Sequence, residues 1–330
     1  MSADDTYPAY VVEEKGKPAR LRRLTDADLP EGDVTVDVAY SSLNFKDGLA
    51  VTGKGPIARR LPMVCGIDLA GTVSASGSPQ WKPGDEVVLT GWGLSETHPG
   101  GFTTRQRVRG EWLVARPDAL TAEQSMAIGT AGLTAMLCVL ELEGSGMTPG
   151  QGPVLVTGAS GGVGSVAVAV LAKLGYEVVA ATGRPESRAY LGDLGASSFV
   201  DRAELSEPGR PLQKERWAHA VDTVGSTTLV SVLSQIGYRG SVAACGLAGG
   251  NDLPATVLPF ILRGVSLLGV DSVQCPTDVR AEAWKRLGAD LPQDLLAQLT
   301  TARGFADIPR LAEDILAGRT RGRVVIDINR

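Results

Sequence analysis

The chain is poor in the residues that build metal centres and disulfide frameworks. It contains four cysteines and two histidines among 330 residues. The cysteines are far apart and include no C-x-x-C pair, which excludes a disulfide framework and favours a reducing compartment. We find no apolar run of membrane-spanning length, and the acidic start "MSADDTYPAY" lacks the order of a signal peptide. These absences predict a cytoplasmic protein that does not enter a membrane.

An excess of positive charge is also absent. The 37 acidic and 32 basic residues give a formal net charge of −5, which offers no support for a nucleic-acid-binding surface. The 41 glycines are many, so tight turns and close backbone approaches are expected. A chain of 330 residues is too long for one ordinary hydrophobic core and predicts two domains.

The first third of the chain is patterned as short β-strands, and the middle part alternates strands with helices. Segments such as "DVTVDVAYSSL" and "WKPGDEVVLTGWG" are typical of an antiparallel barrel or sandwich. A helix from Thr121 to Gly144 is expected before the β/α alternation of a doubly wound parallel sheet. The last strand, "GRVVIDIN", is expected to return to the first domain. We therefore predict an α/β protein in which residues 1–125 and 275–330 form a β-rich domain and residues 126–274 a nucleotide-binding domain.

The segment "VTGASGGVG" predicts a dinucleotide site. Strand Val154–Thr157 leads into a turn with Gly158, Gly161 and Gly164, and helix Val163–Leu174 follows. Glycines at this spacing let the backbone approach a pyrophosphate and let the helix pack closely on its strand. The helix N-terminus then offers free N–H groups and the positive end of its dipole to the anion. An ordinary glycine-rich turn is the alternative interpretation.

The end of the next strand, Glu177–Ala181, indicates which dinucleotide binds. An NAD site usually has Asp or Glu there to bond the ribose 2′-hydroxyl, whereas an NADP site has a cation instead. Here Thr182 stands at that place and Arg184 follows. A guanidinium without a carboxylate suits a 2′-phosphate, so we predict NADPH. Arg202, after the third strand, is a weaker candidate for a second cation, and a solvent-facing Arg184 is the alternative.

A β-rich domain before a nucleotide domain is the order of the medium-chain alcohol dehydrogenases, many of which hold a catalytic zinc through Cys, a Gly-His-Glu segment and a later Cys or Asp. Here "VCGIDLAG" occupies the place of that segment, with Ile67 and Asp68 where His and Glu would stand. The four-cysteine lobe of a structural zinc is absent too. Zinc needs closely placed thiolates and imidazoles. We predict an enzyme without a metal, with Cys65 as a buried thiol.

The chain resembles the zinc-free quinone-oxidoreductase branch of the medium-chain dehydrogenase/reductases, in particular the YhdH-type acrylyl-CoA reductases. The resemblance covers about residues 30 to 275, and its most specific segments are "VAACGLAGG" and "PFILRGVSLLGVDSV". It implies a GroES-like catalytic domain beside a Rossmann domain, and NADPH-dependent reduction of acrylyl-CoA, an acyl-CoA thioester, to propanoyl-CoA. It also implies a homodimer through the nucleotide-domain sheets, with "VSLLGVDS" as the edge strand.

The resemblance further implies which residues contact NADPH. These are Phe45, Ser160, Gly161, Gly162, Val163, Thr182, Gly183, Arg184, Arg202, Leu247, Ser272 and Asn329. The loop Ser160–Val163 is expected at the pyrophosphate and Thr182–Arg184 at the 2′-phosphate, with Arg202 assisting. Leu247 and Ser272 are expected near the nicotinamide half, and Asn329 closes the pocket. The family usually has Tyr at the place of Phe45, whose ring can pack on the cofactor but cannot donate a proton.

The polar segment "SSLNFKDG" is the expected catalytic part. Hydride addition to the β-carbon of an unsaturated thioester moves negative charge to the thioester oxygen, so hydrogen-bond donors and a proton source are required. We expect Asn44 to be such a donor, Lys46 to stabilise the enolate or anchor a phosphate, and Asp47 to orient Lys46 by an ion pair. Alternatively, Asn44 caps a turn, and Lys46 and Asp47 form a solvated surface pair.

Three arginine sets are candidates for a rim that binds the phosphates of coenzyme A, although solvated faces are the alternative. They are Arg59 with Arg60; Arg105, Arg107 and Arg109; and Arg319, Arg321 and Arg323. Two other functions stay open on the sequence alone. One is a broad NADPH:quinone reductase that needs no such rim, and the other is a non-catalytic NADPH-binding redox sensor.

Overall fold

The structure, a computed structural model, describes residues 6–207 and 209–330. The chain divides into two compact units. Unit 1 comprises the residues up to Thr130 together with Val273–Gly288 and Leu296–Arg330, and unit 2 comprises Ala131–Ser272 and Ala289–Leu295.

The strands and helices are numbered along the chain. The strands are β1 Tyr7–Val12, β2 Arg20–Leu24, β3 Val34–Leu43, β4 Met63–Val64, β5 Asp68–Ser76, β6 Glu86–Thr90, β7 Arg105–Val108, β8 Val114–Ala115, β9 Val154–Val156, β10 Val178–Thr182, β11 Ser198–Asp201, β12 Trp217–Asp222, β13 Ile236–Ala244, β14 Ser266–Gly269, β15 Thr300–Gly304 and β16 Arg323–Asp327. The helices are α1 Phe45–Thr52, α2 Ala122–Gly144, α3 Gly162–Lys173, α4 Arg188–Asp193, α5 Ala203–Ser206, α6 Ser226–Gln235, α7 Leu258–Arg263, α8 Thr277–Asp290, α9 Gln293–Leu299 and α10 Ile308–Leu316. Short 3₁₀ turns cover Asp26–Asp28, Gly110–Trp112, Pro185–Ser187 and Phe305–Asp307.

Unit 1 contains two β-sheets that share one hydrophobic core. The larger sheet has the order β15-β16-β3-β5-β6-β8, with β7 also paired to β3, and the smaller one is β2-β1-β4. Val34, Val36 and Val38 on β3 are at most 3% exposed, as their alternation with polar residues predicts. β16 pairs antiparallel with β3, which confirms that the last strand returns to the first domain.

Unit 2 contains a six-stranded parallel sheet. Its order is β11-β10-β9-β12-β13-β14, and every pairing is parallel. Counted within the unit, this is strand order 3-2-1-4-5-6. All strands stay parallel, but the chain adds strands to one side of β9 first and then continues on the other side with β12. Such a sheet is buried by helices on both faces, and its strands are accordingly apolar: Val154, Leu155 and Val156 of β9 are at most 1% exposed. The predicted fold class, a β-rich domain with a doubly wound parallel sheet, is confirmed.

Helix α2 begins and bends for identifiable reasons. Thr121 and Gln124 form a capping box, in which Gln124 N–H donates to Thr121 Oγ1 at 3.1 Å and Thr121 N–H donates to Gln124 Oε1 at 2.8 Å. Gly129 interrupts the helix with a φ of +50°. Against our expectation, α2 is long and apolar enough to cross a membrane by length and composition. Its most apolar window is 83% buried, however, and a core helix meets the same criterion.

Candidate functional site

The loops predicted to bind the dinucleotide leave the same edge of the sheet in unit 2. Ser160–Val163 follow β9, Gly183 and Arg184 follow β10, and Arg202 follows β11. Leu247 and Ser272 follow β13 and β14. Because the carboxyl ends of parallel strands meet at one edge, these loops all leave that edge. In doubly wound sheets, ligands bind at this edge where the strand order reverses, which here lies beside β9.

Two glycines of the turn after β9 are required by close approaches. Gly158 has a φ of +57°, and a Cβ there would lie 2.3 Å from Thr223 Oγ1. A Cβ on Gly164 would lie 2.4 Å from the carbonyl oxygen of Gly158. The first glycine therefore allows the sharp turn, and the second lets α3 pack against it.

The start of α3 has the form of an anion site. Gly161 is its N-cap residue, and the N–H groups of the first turn, at Gly162, Val163 and Gly164, have no acceptor within the helix. Ser160 and Val163 are half-buried and Gly161 is exposed, so this backbone is accessible. Free N–H groups at the positive end of a helix favour a phosphate. The cradle fits the pyrophosphate of a dinucleotide.

A buried carboxylate fixes this turn in position. Asp222, at the end of β12, is 0% exposed and accepts hydrogen bonds from Thr157 Oγ1 and from the Gly225 N–H, both at 2.7 Å. Thr223 Oγ1 donates to the Thr157 carbonyl at 3.0 Å. These bonds join the ends of β12 and β9, from which the turn departs. Sequence reasoning missed this role, although an acidic residue ending a buried strand was the available signal.

The end of β10 carries cations and lacks an acidic residue. Thr182 is 5% exposed, and its Oγ1 accepts a hydrogen bond from the Arg184 N–H at 3.1 Å. The Arg202 side chain packs against Gly183. A Cβ on Gly183 would lie only 2.5 Å from Arg202 Nε. The structure thus brings Arg202 to the Thr182–Arg184 loop, as a second cation for a 2′-phosphate requires.

Unit 1 contains a buried cluster of polar side chains around Asp68. Asp68 is 0% exposed, and its carboxylate accepts hydrogen bonds from Ser42 Oγ, from Asn44 Nδ2 at 2.9 Å, and from both the N–H and the hydroxyl of Thr130. Asp47 is also 0% exposed and accepts from the Asn44 N–H at 2.8 Å and the Ile67 N–H at 2.9 Å. Burial and the nearby Asp68 charge raise the pKa of Asp47 to about 7.

Arg323 of β16 supplies the cation of this cluster. It is 2% exposed, its Nε donates to the Ala127 carbonyl at 2.7 Å, and its Nη1 donates to Asn44 Oδ1 at 3.2 Å. Burial lowers its pKa, which the charges of Asp68 and Asp47 oppose. A Cβ on Gly129 would lie 2.7 Å from Asp68 Oδ2 and 2.8 Å from Arg323 Nη2, so the bend in α2 makes room for the cluster.

The expected roles of Asn44 and Asp47 need correction. The Nδ2 group of Asn44 lies within hydrogen-bond distance of Ser42, Asp47 and Asp68, so in this structure it is directed into the cluster. Asp47 does not pair with Lys46, since its oxygens are occupied by backbone N–H groups in a buried place. Lys46 Nζ instead binds Glu96 Oε1 at 2.8 Å. Both the orienting role of Asp47 and the solvated Lys46–Asp47 pair are therefore wrong, because the peptide N–H groups of Asn44 and Ile67 hold the carboxylate inside.

The residues near the place of the zinc ligands do not fit zinc. Cys65 is fully buried, as predicted, and burial together with the Asp47 charge raises the pKa of its thiol far above its usual range. Asp68 already accepts four hydrogen bonds. Among the described residues, no three His, Cys, Asp or Glu side chains are grouped so that they could hold a metal ion. A neutral thiol and a saturated carboxylate are poor ligands, since zinc needs deprotonated donors with a free lone pair.

Two further predicted cofactor residues lie in unit 1. Phe45, the first residue of α1, is 52% exposed, so its ring is available to a ligand. Asn329 follows β16 and lines a polar groove of about 930 Å³ together with Arg105 and Asp26. Arg105 is bound there by the carboxylates of Asp26 at 3.0 Å and Asp37 at 3.3 Å.

Comparison with known proteins gives consistent matches. Residues 30–140 match the alcohol dehydrogenase GroES-like domain family, and residues 162–289 match the zinc-binding dehydrogenase family. The chain is 54% identical to the acrylyl-CoA reductase AcuI of Ruegeria pomeroyi over 96% of this chain and 97% of that protein. It is 47% identical to the putative quinone oxidoreductase YhfP of Bacillus subtilis, over 93% and 94%. The crystal structure of the YhdH oxidoreductase from Salmonella enterica with NADP is 53% identical and superposes with a TM-score of 0.95, covering 97% of this chain and 99% of that one.

The buried carboxyl of Asp47 predicts an unusual dependence of stability on pH. Because its pKa rises on folding, from 3.8 to about 7, its contribution is complete below pH 3.8 and is lost as the pH rises towards 7. Asp47→Asn removes this titration. The unfolding free energy of the wild type relative to the variant should fall by about 4 kcal/mol between acid and neutral pH. Urea unfolding at a series of pH values measures this difference.

The control is Asp28→Asn, which has the opposite sign. The Thr25 N–H and hydroxyl lower the pKa of Asp28, so its contribution is present at neutral pH and is lost in acid. A constant difference between wild type and Asp47→Asn at all pH values would show that the pKa of this carboxyl is the same in the folded and the unfolded protein, contrary to our expectation.

Proposed function

We propose that this chain, which belongs to the medium-chain dehydrogenase/reductase superfamily and within it to the acrylyl-CoA reductase family, reduces acrylyl-CoA to propanoyl-CoA with NADPH. The observation that carries the proposal is the 54% identity to an acrylyl-CoA reductase over 96% of the chain. The nucleotide site of unit 2 agrees with it, since it combines a pyrophosphate cradle with cations for a 2′-phosphate.

The residues of unit 2 bind and orient the cofactor. The N–H groups at the start of α3 hold the pyrophosphate, and Arg184 and Arg202 hold the 2′-phosphate. Leu247, which is 66% exposed, and Ser272 face the nicotinamide half. NADPH, when bound, supplies the hydride that is added to the β-carbon of the substrate.

The residues of unit 1 bind the substrate. Asn44 and Asp47 fix the first turn of α1 from its buried side, so that Phe45 and Lys46 are held at the surface. The Lys46 side chain is 32% exposed and keeps donors free beside its bond to Glu96. It can therefore bind negative charge on the substrate. Asn44 and Asp47 contribute by positioning Lys46. Asn329 borders the polar groove of the same unit.

A quinone reductase is the second candidate function. The observation that favours it is the 47% identity to YhfP, which is named a putative quinone oxidoreductase. It needs the same nucleotide site, because the hydride donor is the same.

We also propose a homodimer in the cytoplasm. β14 is an edge strand of the parallel sheet, as predicted, and among the described residues it pairs with β13 on one side only. The helix before it exposes Ile261 at 68% and Leu262 at 59%, and Val257 is 63% exposed. An exposed edge beside exposed apolar side chains suits a second copy of the chain.

The first measurement follows NADPH oxidation with acrylyl-CoA, crotonyl-CoA and a benzoquinone, with NADH as the alternative donor. Acrylyl-CoA with NADPH should give the highest kcat/KM. Turnover of the quinone alone would move the protein to the quinone reductases. NADPH binding without turnover of any substrate would leave the redox sensor.

The two cations at the end of β10 predict the cofactor preference. Arg184→Ala combined with Arg202→Ala should raise KM for NADPH by about tenfold or more, because two charge-assisted bonds to the 2′-phosphate are lost, while KM for NADH stays the same. Arg188→Ala is the matched control, since that guanidinium lies over the Phe199 ring at 5.8 Å. Equal losses with both cofactors would contradict the assignment.

The dimer proposal is tested by placing a charge in the apolar edge. Ile261→Asp should shift the chain from dimer to monomer in sedimentation velocity, because a carboxylate cannot be buried there without a partner. Leu21→Asp, at a residue of β2 that is 55% exposed, should leave the mass unchanged. A monomeric wild type would refute the proposal.

A further inference from the structure

The surface of unit 1 carries two cations that share a single carboxylate, and a third cation lies next to one of them in the sequence. Lys46 Nζ lies 2.8 Å from Glu96 Oε1, and Arg59 Nη2 lies 3.8 Å from Glu96 Oε2. Arg60 is exposed and forms no salt bridge within the described part of the chain. We call Lys46, Arg59 and Arg60 the basic rim. With Glu96 it has an excess of two positive charges on an otherwise acidic protein.

The other arginine sets do not have this excess. Arg105 is bound by two carboxylates, those of Asp26 and Asp37, and Arg109 pairs with Glu111 at 3.6 Å. Arg319 pairs with Asp314 at 2.7 Å. Arg323 is buried in the Asp68 cluster, so it cannot form part of a surface rim. The structure therefore favours Arg59 and Arg60 among the sequence candidates and adds Lys46 to them.

The loop that holds Glu96 is rigid and strained. Trp92 has a φ of +51° and Ser95 a φ of +67°, backbone conformations that residues other than glycine rarely adopt. Trp92 stacks on Trp112 with centroids 6.1 Å apart, and the Arg280 guanidinium lies 5.2 Å from its ring. Backbone strain of this kind persists only where the surroundings enforce it, and it clusters at ligand sites.

The backbone that carries two members of the basic rim, Arg59 and Lys46, is fixed by hydrogen bonds within unit 1. The Arg59 N–H donates to the Glu96 carbonyl at 2.8 Å, and Ile57 in the same loop packs against the core of unit 1. Lys46 lies in the first turn of α1, which the Asp47 hydrogen bonds fix. A fixed backbone reduces the conformational entropy that Arg59 and Lys46 lose on binding an anion.

We infer that the basic rim of Lys46, Arg59 and Arg60 binds phosphate groups of coenzyme A, an inference that rests on the proposed acyl-CoA substrate. Coenzyme A carries several phosphates, and guanidinium groups bind phosphate through paired, charge-assisted hydrogen bonds. Glu96 orients two of the three cations, and Lys46 thereby serves as a phosphate anchor. The phosphates of NADPH share this chemistry, and the experiment separates the two sources.

The test combines binding with kinetics for Arg59→Ala with Arg60→Ala. Titration calorimetry should show coenzyme A binding weakened about tenfold or more, with pantetheine and NADPH binding unchanged. KM for acrylyl-CoA should rise similarly, while KM for the acrylyl thioester of N-acetylcysteamine, which has no phosphate, stays constant. Arg319→Ala, an exposed arginine with its own carboxylate, should behave as wild type.

Each other result overturns the inference in a recognisable way. Weaker NADPH binding with unchanged coenzyme A binding would assign the rim to the cofactor. Unchanged binding of both coenzyme A and NADPH would leave the rim a solvated surface. Equal losses for both thioesters would show that the substitutions act other than through a phosphate contact. Calorimetry with coenzyme A does not depend on turnover, so an enzyme that binds coenzyme A through the rim but reduces no acyl-CoA would refute the proposed reaction and retain the rim.

Discussion

The burial of two carboxylates beside one arginine governs the architecture of unit 1. Asp47 and Asp68 lose their hydration, and such a loss is tolerated only with dense hydrogen bonding and a nearby cation. Peptide N–H groups of Asn44, Ile67 and Thr130 and the guanidinium of Arg323 provide both. The start of α1, the bend of α2 and the position of β16 follow from this requirement, because each brings hydrogen-bond donors to the cluster. The exposed Phe45 and the half-buried Lys46 are then carried by a helix turn that these hydrogen bonds fix.

Unit 2 uses the same device at a smaller scale. Asp222 is one buried carboxylate held by a hydroxyl and a peptide N–H, and it locks two neighbouring strand ends together. The glycine turn that starts there is thereby fixed without contributing a side chain of its own. In both units, buried and hydrogen-bonded carboxyl groups help to determine where the accessible donors and cations lie.

Features encoded by neighbouring residues could be predicted from the sequence, whereas several side-chain pairings between distant residues could not. The glycine turn, the Thr182–Arg184 loop and the order of strands could be predicted because each is encoded within a few neighbouring residues. The partner of Lys46 could not, since Glu96 is 50 residues further along the chain. Arg323 is 279 residues from its partner Asn44, so the pairing could not be predicted either. The alternation of Arg323 with other arginines suggested a surface strand, although the residue is buried. Asp47 was expected to pair with its neighbour in sequence, but peptide N–H groups on both sides determine its orientation.

The place of β16 has a consequence for biosynthesis. During translation the chain makes both buried carboxylates early and their guanidinium only after the whole of unit 2 has been formed. Unit 2 has a contiguous stretch that can collapse first, as domains commonly do on the ribosome. Until β16 pairs with β3, a nascent unit 1 would have to shelter two negative charges without their cation. Unit 1 can therefore complete its folding only after β16, the last strand, has been synthesised and has left the ribosome.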